Sequence, residues 1–320
     1  MRRVDDELFD GMFNNTIAVA AQNGWAVVDY FSGETVLGDY LTPFPSQLFE
    51  ASPLGGSSAP GAGLDVQGIV QVGPFGPAIT GYDLESHQFG FTQVFPGTPA
   101  CLDAVPYGGD ALSGGIVLPC ARQLRTFEAH ESGVFNPKNV YSGFPQTGGN
   151  VISGFRREQG GPIVAVTDGT PGTIWKHPAT GVLNEMPIEL GASGDSPRRV
   201  RCTPNSVCAL SNFASDSLTI LTWDAGDTIT IEGTVPVGDG PVGVDIRPRT
   251  DGNFEVVSTG FNDDSYSITV LEPDGDVVTN QETAAPAGCD APGHAIWGPG
   301  NEIIISCNGS DDIVRVPLPN

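Results

Sequence analysis

Apolar and polar positions along this chain repeat one pattern seven times. An apolar run of strand length is followed by a short polar or Gly/Pro turn, a second apolar run and a second turn. The occurrences are 17–33, 69–86, 116–133, 163–181, 207–226, 254–275 and 303–320. In VCALSNFASDSLTILTWDAG (207–226) β-branched, aromatic and other apolar residues fill the runs, and Asn, Asp, Ser and Gly fill the breaks. That is the pattern of an antiparallel hairpin. A longer unit encloses each hairpin. GDSP begins at Gly194 and recurs as GDGP at Gly238, a period of 44 residues holding four strand-like runs. Four runs per period predict a four-stranded antiparallel blade. The frame P-x6-P recurs at Pro99/Pro106, Pro197/Pro204, Pro241/Pro248 and Pro292/Pro299. Proline cannot donate to a sheet ladder, so each pair is expected at the ends of a short innermost strand.

Seven such units resemble a seven-bladed β-propeller of the YVTN/NHL/lactonase-like kind, over nearly the whole chain and best over 194–320. The YVTN tetrapeptide is absent, and no unit carries the GH…WD pair of WD40 repeats. The expected fold is therefore all-β, one β-propeller domain over 1–320. The chain stops after the third run of unit seven. The leading segment 2–13 is expected to supply an outer strand to blade seven and an inner strand to blade one, which would close the ring. Two segments interrupt the regularity, 43–63 between blades one and two and 134–161 around the inner strand of blade four. They are expected to be loop insertions, either functional or without regular structure.

Charge narrows the function. The net charge is −24, and of 14 basic residues only Lys138 and Lys176 are lysines. Acid excess with few lysines suits concentrated salt, where screening tolerates self-repulsion; an ordinary acidic secreted protein fits the same numbers. Direct nucleic-acid binding is disfavoured for want of a basic surface. No apolar run reaches membrane-spanning length. The start, MRRVDDELFDGMF, is acidic where a secretory signal is apolar. Against this stand six cysteines. Cys101/Cys120, Cys202/Cys208 and Cys289/Cys307 each bracket a turn between first and second strands, so three intrablade disulfides are expected, with free buried cysteines as the alternative. Disulfides imply an oxidising setting, hence an extracellular or virion-surface location.

Candidate chemistry is sparse. In propellers the turns between second and third strands share one face with the links between blades, as the resemblance implies. That face would carry Asp195, Asp216, Asp239, Asp264, Asp290 and Asp312 from blades five to seven, and Phe44, Phe49, Phe75 and Phe135 from the earlier ones. An apolar patch beside charge fits a protein interface; Asp as a turn former and Phe as packing is the structural reading. No cofactor is expected; Asp263/Asp264 and Asp311/Asp312, near Asn262 and Asn308, are the candidate oxygen ligands should a calcium ion bind. His87, His130 and His177 each follow a third strand, so they are expected on the outer rim, too far apart to share a metal. His294 is expected to face the channel. Arg199 and Arg201 should project to one side of the inner strand of blade five and Arg198 to the other, binding an anion or pairing with Asp245 and Asp103. No G-x-S-x-G, C-x-x-C-H or phosphate loop is present.

These readings favour a non-enzymatic binding and scaffold module of an extracellular assembly, with other subunits or a host cell-surface protein or glycan as partner. The sharpest form is a turret, spike or tail component of a virus of a halophilic host. A lactonase-like hydrolase using Asp245, Asp103, His294 and Arg199 is the second reading. A host surface protein, with glycan acceptors at Asn14 and Asn308, is the third.

Overall fold

Strand-length apolar runs separated by turn residues can satisfy their backbone only by pairing, and each of the seven hairpins forms. A computed structural model describes both backbone and side chains over 117–127, 137, 140–144, 149–155, 162–178, 186–203, 207–298 and 301–319, and elsewhere the backbone of individual strands. The first sheet pairs β1 (Arg2–Arg3), β2 (Thr16–Ala21), β3 (Gly24–Asp29) and β4 (Thr35–Leu41) in that order. The second holds β5 (Leu48–Ser52), β6 (Val66–Gly73), β7 (Gly76–Asp83) and β8 (Gln88–Val94). The third holds β9 (Val105–Tyr107), β10 (Gly115–Cys120), β11 (Gln123–Ala129) and β12 (Phe135–Tyr141). The fourth holds β13 (Val151–Arg156), β14 (Ile163–Thr167), β15 (Thr173–His177) and β16 (Ile188–Ala192). The fifth holds β17 (Pro197–Cys202), β18 (Val207–Asn212), β19 (Ser217–Trp223) and β20 (Ile229–Pro236). The sixth holds β21 (Pro241–Pro248), β22 (Phe254–Gly260), β23 (Ser265–Leu271) and β24 (Val277–Ala284). The seventh has three strands among the described residues, β25 (Pro292–Trp297), β26 (Glu302–Cys307) and β27 (Asp312–Pro317).

The chain divides into two compact units. One comprises Met1–Phe144, Ser153–Ile163 and Pro178–Met186; the other comprises Pro145–Ile152, Val164–His177 and Pro187–Asn320. The first contains the three leading sheets. The second contains the last three and carries the side-chain detail that follows.

Within the second unit, burial falls from second strand to fourth. All six residues of β18 and all seven of β22 are buried, whereas seven of the eight residues of β24 are exposed. A second strand has both faces covered because alternate residues pack on opposite neighbours. Phe254 and Val256 of β22 join Val207, Ala209, Leu218 and Ile220 of the fifth sheet. Val257, from the same strand, joins Ala295, Trp297, Ile303 and Ile305 of the seventh. Each such aliphatic side chain contributes about 1.5–3 kcal/mol on burial, so these interfaces hold neighbouring sheets together.

Proline behaves as expected at the start of the inner strands. Pro197, Pro241 and Pro292 open β17, β21 and β25, and Pro248 ends β21. A register shift follows each opening proline, at Pro197/Arg199, Pro241/Val244 and Pro292/His294. With no N–H to donate there, the ladder slips and the strand bulges. The third sheet departs from this rule, because Pro106 lies inside β9, opposite Ile116. Pro99, Pro204 and Pro299 lie outside the described residues.

Some of the remaining expectations are met and others change. Arg2–Arg3 pairs with Ile17 and Ala18 as the edge strand of the first sheet, while residues 4–15 lie outside the described residues. Segment 43–63 carries β5, and 134–161 carries β12 and β13, so both contain sheet strands as well as connections. Cys202–Cys208 bridges directly paired residues of β17 and β18. Cys289–Cys307 ties the connection ahead of β25 to the end of β26, where Pro292 is the partner of Cys307 in the ladder. Cys120 is disulfide-bonded as well; Cys101 lies outside the described residues.

Candidate functional site

The turn between second and third strands in the last three sheets is built from one recurring set of bonds. Ser215 Oγ, Asp263 Oδ2 and Ser310 Oγ accept the backbone N–H of Asp195, Asp239 and Asp290 at 3.0, 2.9 and 3.3 Å. The next turn residue is left-handed in each sheet, with φ of 48° at Asp216, 52° at Asp264 and 56° at Asp311. Aspartate tolerates this conformation better than most residues. Its carboxylate then reaches forward. Asp216 Oδ1 accepts the N–H of Gly240 at 3.0 Å, and Asp264 Oδ1 accepts that of Ala291 at 2.8 Å. Each acceptor thereby fastens its sheet to the link entering the following one.

Of the six aspartates expected on a binding face, Asp195, Asp216, Asp239, Asp264 and Asp290 occupy these turns and links. Asp216, Asp239 and Asp264 use carboxylate oxygens on protein donors; Asn262 Nδ2 donates to Asp239 Oδ1 at 2.8 Å. Asp195 and Asp290 take part through their backbone, and Asp312 is exposed at the start of β27, opposite Cys307. Of the four phenylalanines, Phe49 lies in β5 and Phe135 in β12, described by backbone only, and Phe44 and Phe75 lie outside the described residues. The calcium candidates Asp263 and Asp264 accept backbone N–H groups, and Asp311 and Asp312 lie at the last turn. Among the described residues no three His, Cys, Asp or Glu side chains approach closely enough to hold a metal ion.

On the inner strands, alternation separates the arginines of β17. The guanidinium of Arg198 lies 4.8 Å from the ring centre of Phe213, a cation–π contact. Arg199 Nη1 meets His294 Nδ1 at 2.8 Å, reaching β25 from a strand two sheets away. Arg201 Nη1 donates to the carbonyl of Val200 at 2.9 Å. A Cβ at Gly243 of the intervening β21 would lie 2.7 Å from His294 Cα and 2.8 Å from the carbonyl of Gly293. Glycine there allows β21 and β25 to approach. Asp245 bridges the same strands, with Oδ1 accepting the N–H of Ile246 at 2.9 Å and Oδ2 that of Trp297 at 3.1 Å. Asp103, His87 and His130 lie outside the described residues. His177, expected on the outer rim, ends β15 and is buried.

A third feature was not singled out from the sequence. Arg247 stacks 3.9 Å from the Trp297 ring centre, pairs with Glu255 at 2.6 Å and donates to Asn301 Oδ1 at 3.2 Å. Arg249 pairs with Glu255 and, at 3.0 Å, with Asp251. Asp251's carboxyl is held below the ordinary aspartate range by the Asn253 N–H and then by Arg249; hydrogen bonding to Asp251 in turn raises Arg249. These groups border a groove of about 580 Å³ lined by Ile268 and Val270 of β23, Thr279 and Gln281 of β24, and Leu318. The signal in the sequence is RPRTDGNFE (247–255), with opposite charges on both sides of one turn.

No family model matches the sequence, and no curated protein matches it. Solved structures do. The chain superimposes on the β-propeller domain of Cps50 (Swd1) from Myceliophteria thermophila with a TM-score of 0.65, at 11% identity, covering 96% of this chain and 94% of that one. The fold is a β-propeller. A chain of the mitotic checkpoint complex gives 0.63 at 13% identity, covering 96% and 85%. A candidate 6-phosphogluconolactonase from Bacteroides uniformis gives 0.61 at 16%, covering 91% and 86%. At these identities the likeness extends to the fold and no further. Among the described residues no helix is long and apolar enough to cross a membrane.

Proposed function

We propose that this chain is a non-enzymatic binding and scaffold β-propeller of seven blades, working among protein partners in an extracellular assembly. One observation carries the reading: the groups best suited to chemistry on the inner strands hold those strands together. Both oxygens of Asp245 accept backbone N–H groups, and Arg199 and His294 bond to each other. Disulfides support an oxidising compartment, and a similar chain belongs to the mitotic checkpoint complex. In its narrowest form the assembly is a virus particle of a halophilic host, for which the charge of −24 is the support. The test is sedimentation of the native protein in a density gradient of its source material, read by mass spectrometry. Co-migration with larger particles at constant stoichiometry is expected. A free 33.3 kDa species would overturn the assembly reading.

Likeness to the Bacteroides uniformis protein favours a second reading, a lactone hydrolase centred on Arg199 and His294. Turnover of sugar lactones with added calcium, abolished by His294→Ala, would establish it in place of the first.

A further inference from the structure

Edge strands expose unpaired backbone groups, and proteins protect them with bulges, proline or lysine. The fourth strands of this chain differ in that protection. The ladder of β16 breaks between Ile174 and Trp175, and that of β20 between Ile220 and Leu221. Gly191 and Gly233 stand at those breaks with φ of 151° and 158°. The ladders of β4, β8 and β12 also shift part-way along. Strand β24 is the exception. Its shift lies near its start, at Val270/Leu271, and from Thr279 to Ala284 it pairs without interruption. It contains neither proline nor lysine. It completes a sheet whose four strands are all described, and among the described residues it pairs with β23 alone. Val277 and Val278 at its start are 46% and 48% exposed.

One bond fixes which groups this edge offers. Ala285 N–H donates to Asp264 O at 2.7 Å. Antiparallel ladders alternate, so Thr283, Gln281 and Thr279 also direct N–H and C=O to β23. Asn280, Glu282 and Ala284 then present theirs outward. A second copy related by a two-fold axis through Gln281 answers them. Asn280 of each copy lies opposite Glu282 of the other, and Thr279 opposite Thr283. Val278 lies beside Ala284 of the second copy. Glu282 is the strand's only charge, and this register sets it against a neutral amide. Sliding one copy by two residues in one direction sets Glu282 against Glu282. Sliding it the other way sets Glu282 against Val278 in the bulge. Like charges directly opposite are unfavourable, so charge and bulge together select the register centred on Gln281.

We propose that β24 pairs with β24 of a second copy of this chain, joining two four-stranded sheets across a two-fold axis, and that salt controls the pairing. The inference goes beyond the functional reading above and holds for a scaffold and a hydrolase alike. Each copy carries a net charge of −24, so two copies repel at long range. That repulsion reaches about 10 Å at 0.1 M salt and about 3 Å at 1 M. Backbone hydrogen bonds across the axis carry no net charge and survive the screening. The chain is therefore monomeric in dilute buffer and dimeric in concentrated salt.

The test is sedimentation velocity of the purified full chain in sodium chloride from about 0.1 M to about 1 M. A shift from 33.3 kDa to twice that mass is expected. Glu282→Pro removes a central outward N–H and should weaken pairing at least tenfold with the melting temperature nearly unchanged. Glu282→Gln keeps that N–H and should pair at least as well as the parent. Gln281→Glu and Gln281→Lys each set like charges across the axis. Each alone should weaken pairing at least threefold at the lowest salt where the parent associates. An equimolar mixture of the two should restore it, which also shows that both variants fold. A chain monomeric at every salt concentration would overturn the proposal, and is the result expected if a strand of another protein occupies this edge. Association indifferent to Glu282→Pro, or a mixture no better than its components, would overturn it as well. So would slow hydrogen exchange at Asn280 and Glu282 in the monomer, because the chain's own residues would then cover the edge.

Discussion

Replacing Asp216 measures the forward latch directly. Its backbone has φ of 48°, and its Oδ1 accepts the Gly240 N–H of the following sheet. Asn keeps an oxygen in place and tolerates the left-handed conformation, so Asp216→Asn should lose no more than about 0.5 kcal/mol. Gly accepts the conformation but removes the bond. A partly exposed hydrogen bond contributes about 1 kcal/mol, which sets the loss for Asp216→Gly. Ala removes the bond and adds a left-handed penalty of about 1 kcal/mol, so Asp216→Ala should lose about 2 kcal/mol. The order Asn, Gly, Ala carries the argument, more than any single value. Urea unfolding followed by far-ultraviolet circular dichroism and tryptophan fluorescence gives these differences, provided the two probes coincide. Ala equal to Asn would show that neither the bond nor the backbone conformation matters, and would refute the latch.

Gly243→Ala should destabilise by about 3 kcal/mol, the upper part of the overpacking range, because the new methyl meets backbone of β25; a change below about 0.5 kcal/mol in the same urea experiment would mean the strands are not so close. Replacing Cys289 and Cys307 by serine should cost about 3 kcal/mol and replacing Cys202 and Cys208 about 2, since the bridges span 18 and 6 residues and loop entropy grows with span. Equal losses would argue against a chain-entropy origin. Asp251's lowered carboxyl favours the folded state above the ordinary aspartate range, and that contribution disappears as pH falls through the lowered value, below roughly pH 4. Asp251→Asn should therefore shrink the difference in stability between pH 5 and pH 2.5, and an unchanged acid limb would contradict this.

The architecture was legible where burial and turn chemistry agree. Second and third strands are apolar because β18 and β22 are covered on both faces, so VCAL and FEVV announce themselves. Pro197 and Pro241 stand one period apart because each must open an edge strand. Fourth strands are mostly exposed, as in β24, and so carry little hydrophobic signal. For the same reason β12, the fourth strand of the third sheet, was hidden in segment 134–161, whereas β5, a first strand, was hidden among the Pro and Gly residues of 43–63. The candidate site was less legible. Asp216 and Asp264 were recognisable as turn residues, but a carboxylate aimed at the next repeat leaves no spacing rule to read. Nor does sequence pattern reveal that Arg199 meets His294 across Gly243, because the two are 95 residues apart and joined only through tertiary packing.

The forward bonds of Asp216 and Asp264 imply that the unit of duplication and the unit of folding are out of phase. A cut at the end of β20 preserves every ladder of the fifth sheet, yet it removes Gly240 and strands the Asp216 acceptor. A cut a few residues later, after Pro241, keeps the acceptor bonded. During synthesis a sheet would likewise wait for the first residues of its successor before its own last turn was secured. Modules transplanted from this chain should therefore carry a borrowed stub of the repeat that follows, and their stability should step up when that stub includes residue 240.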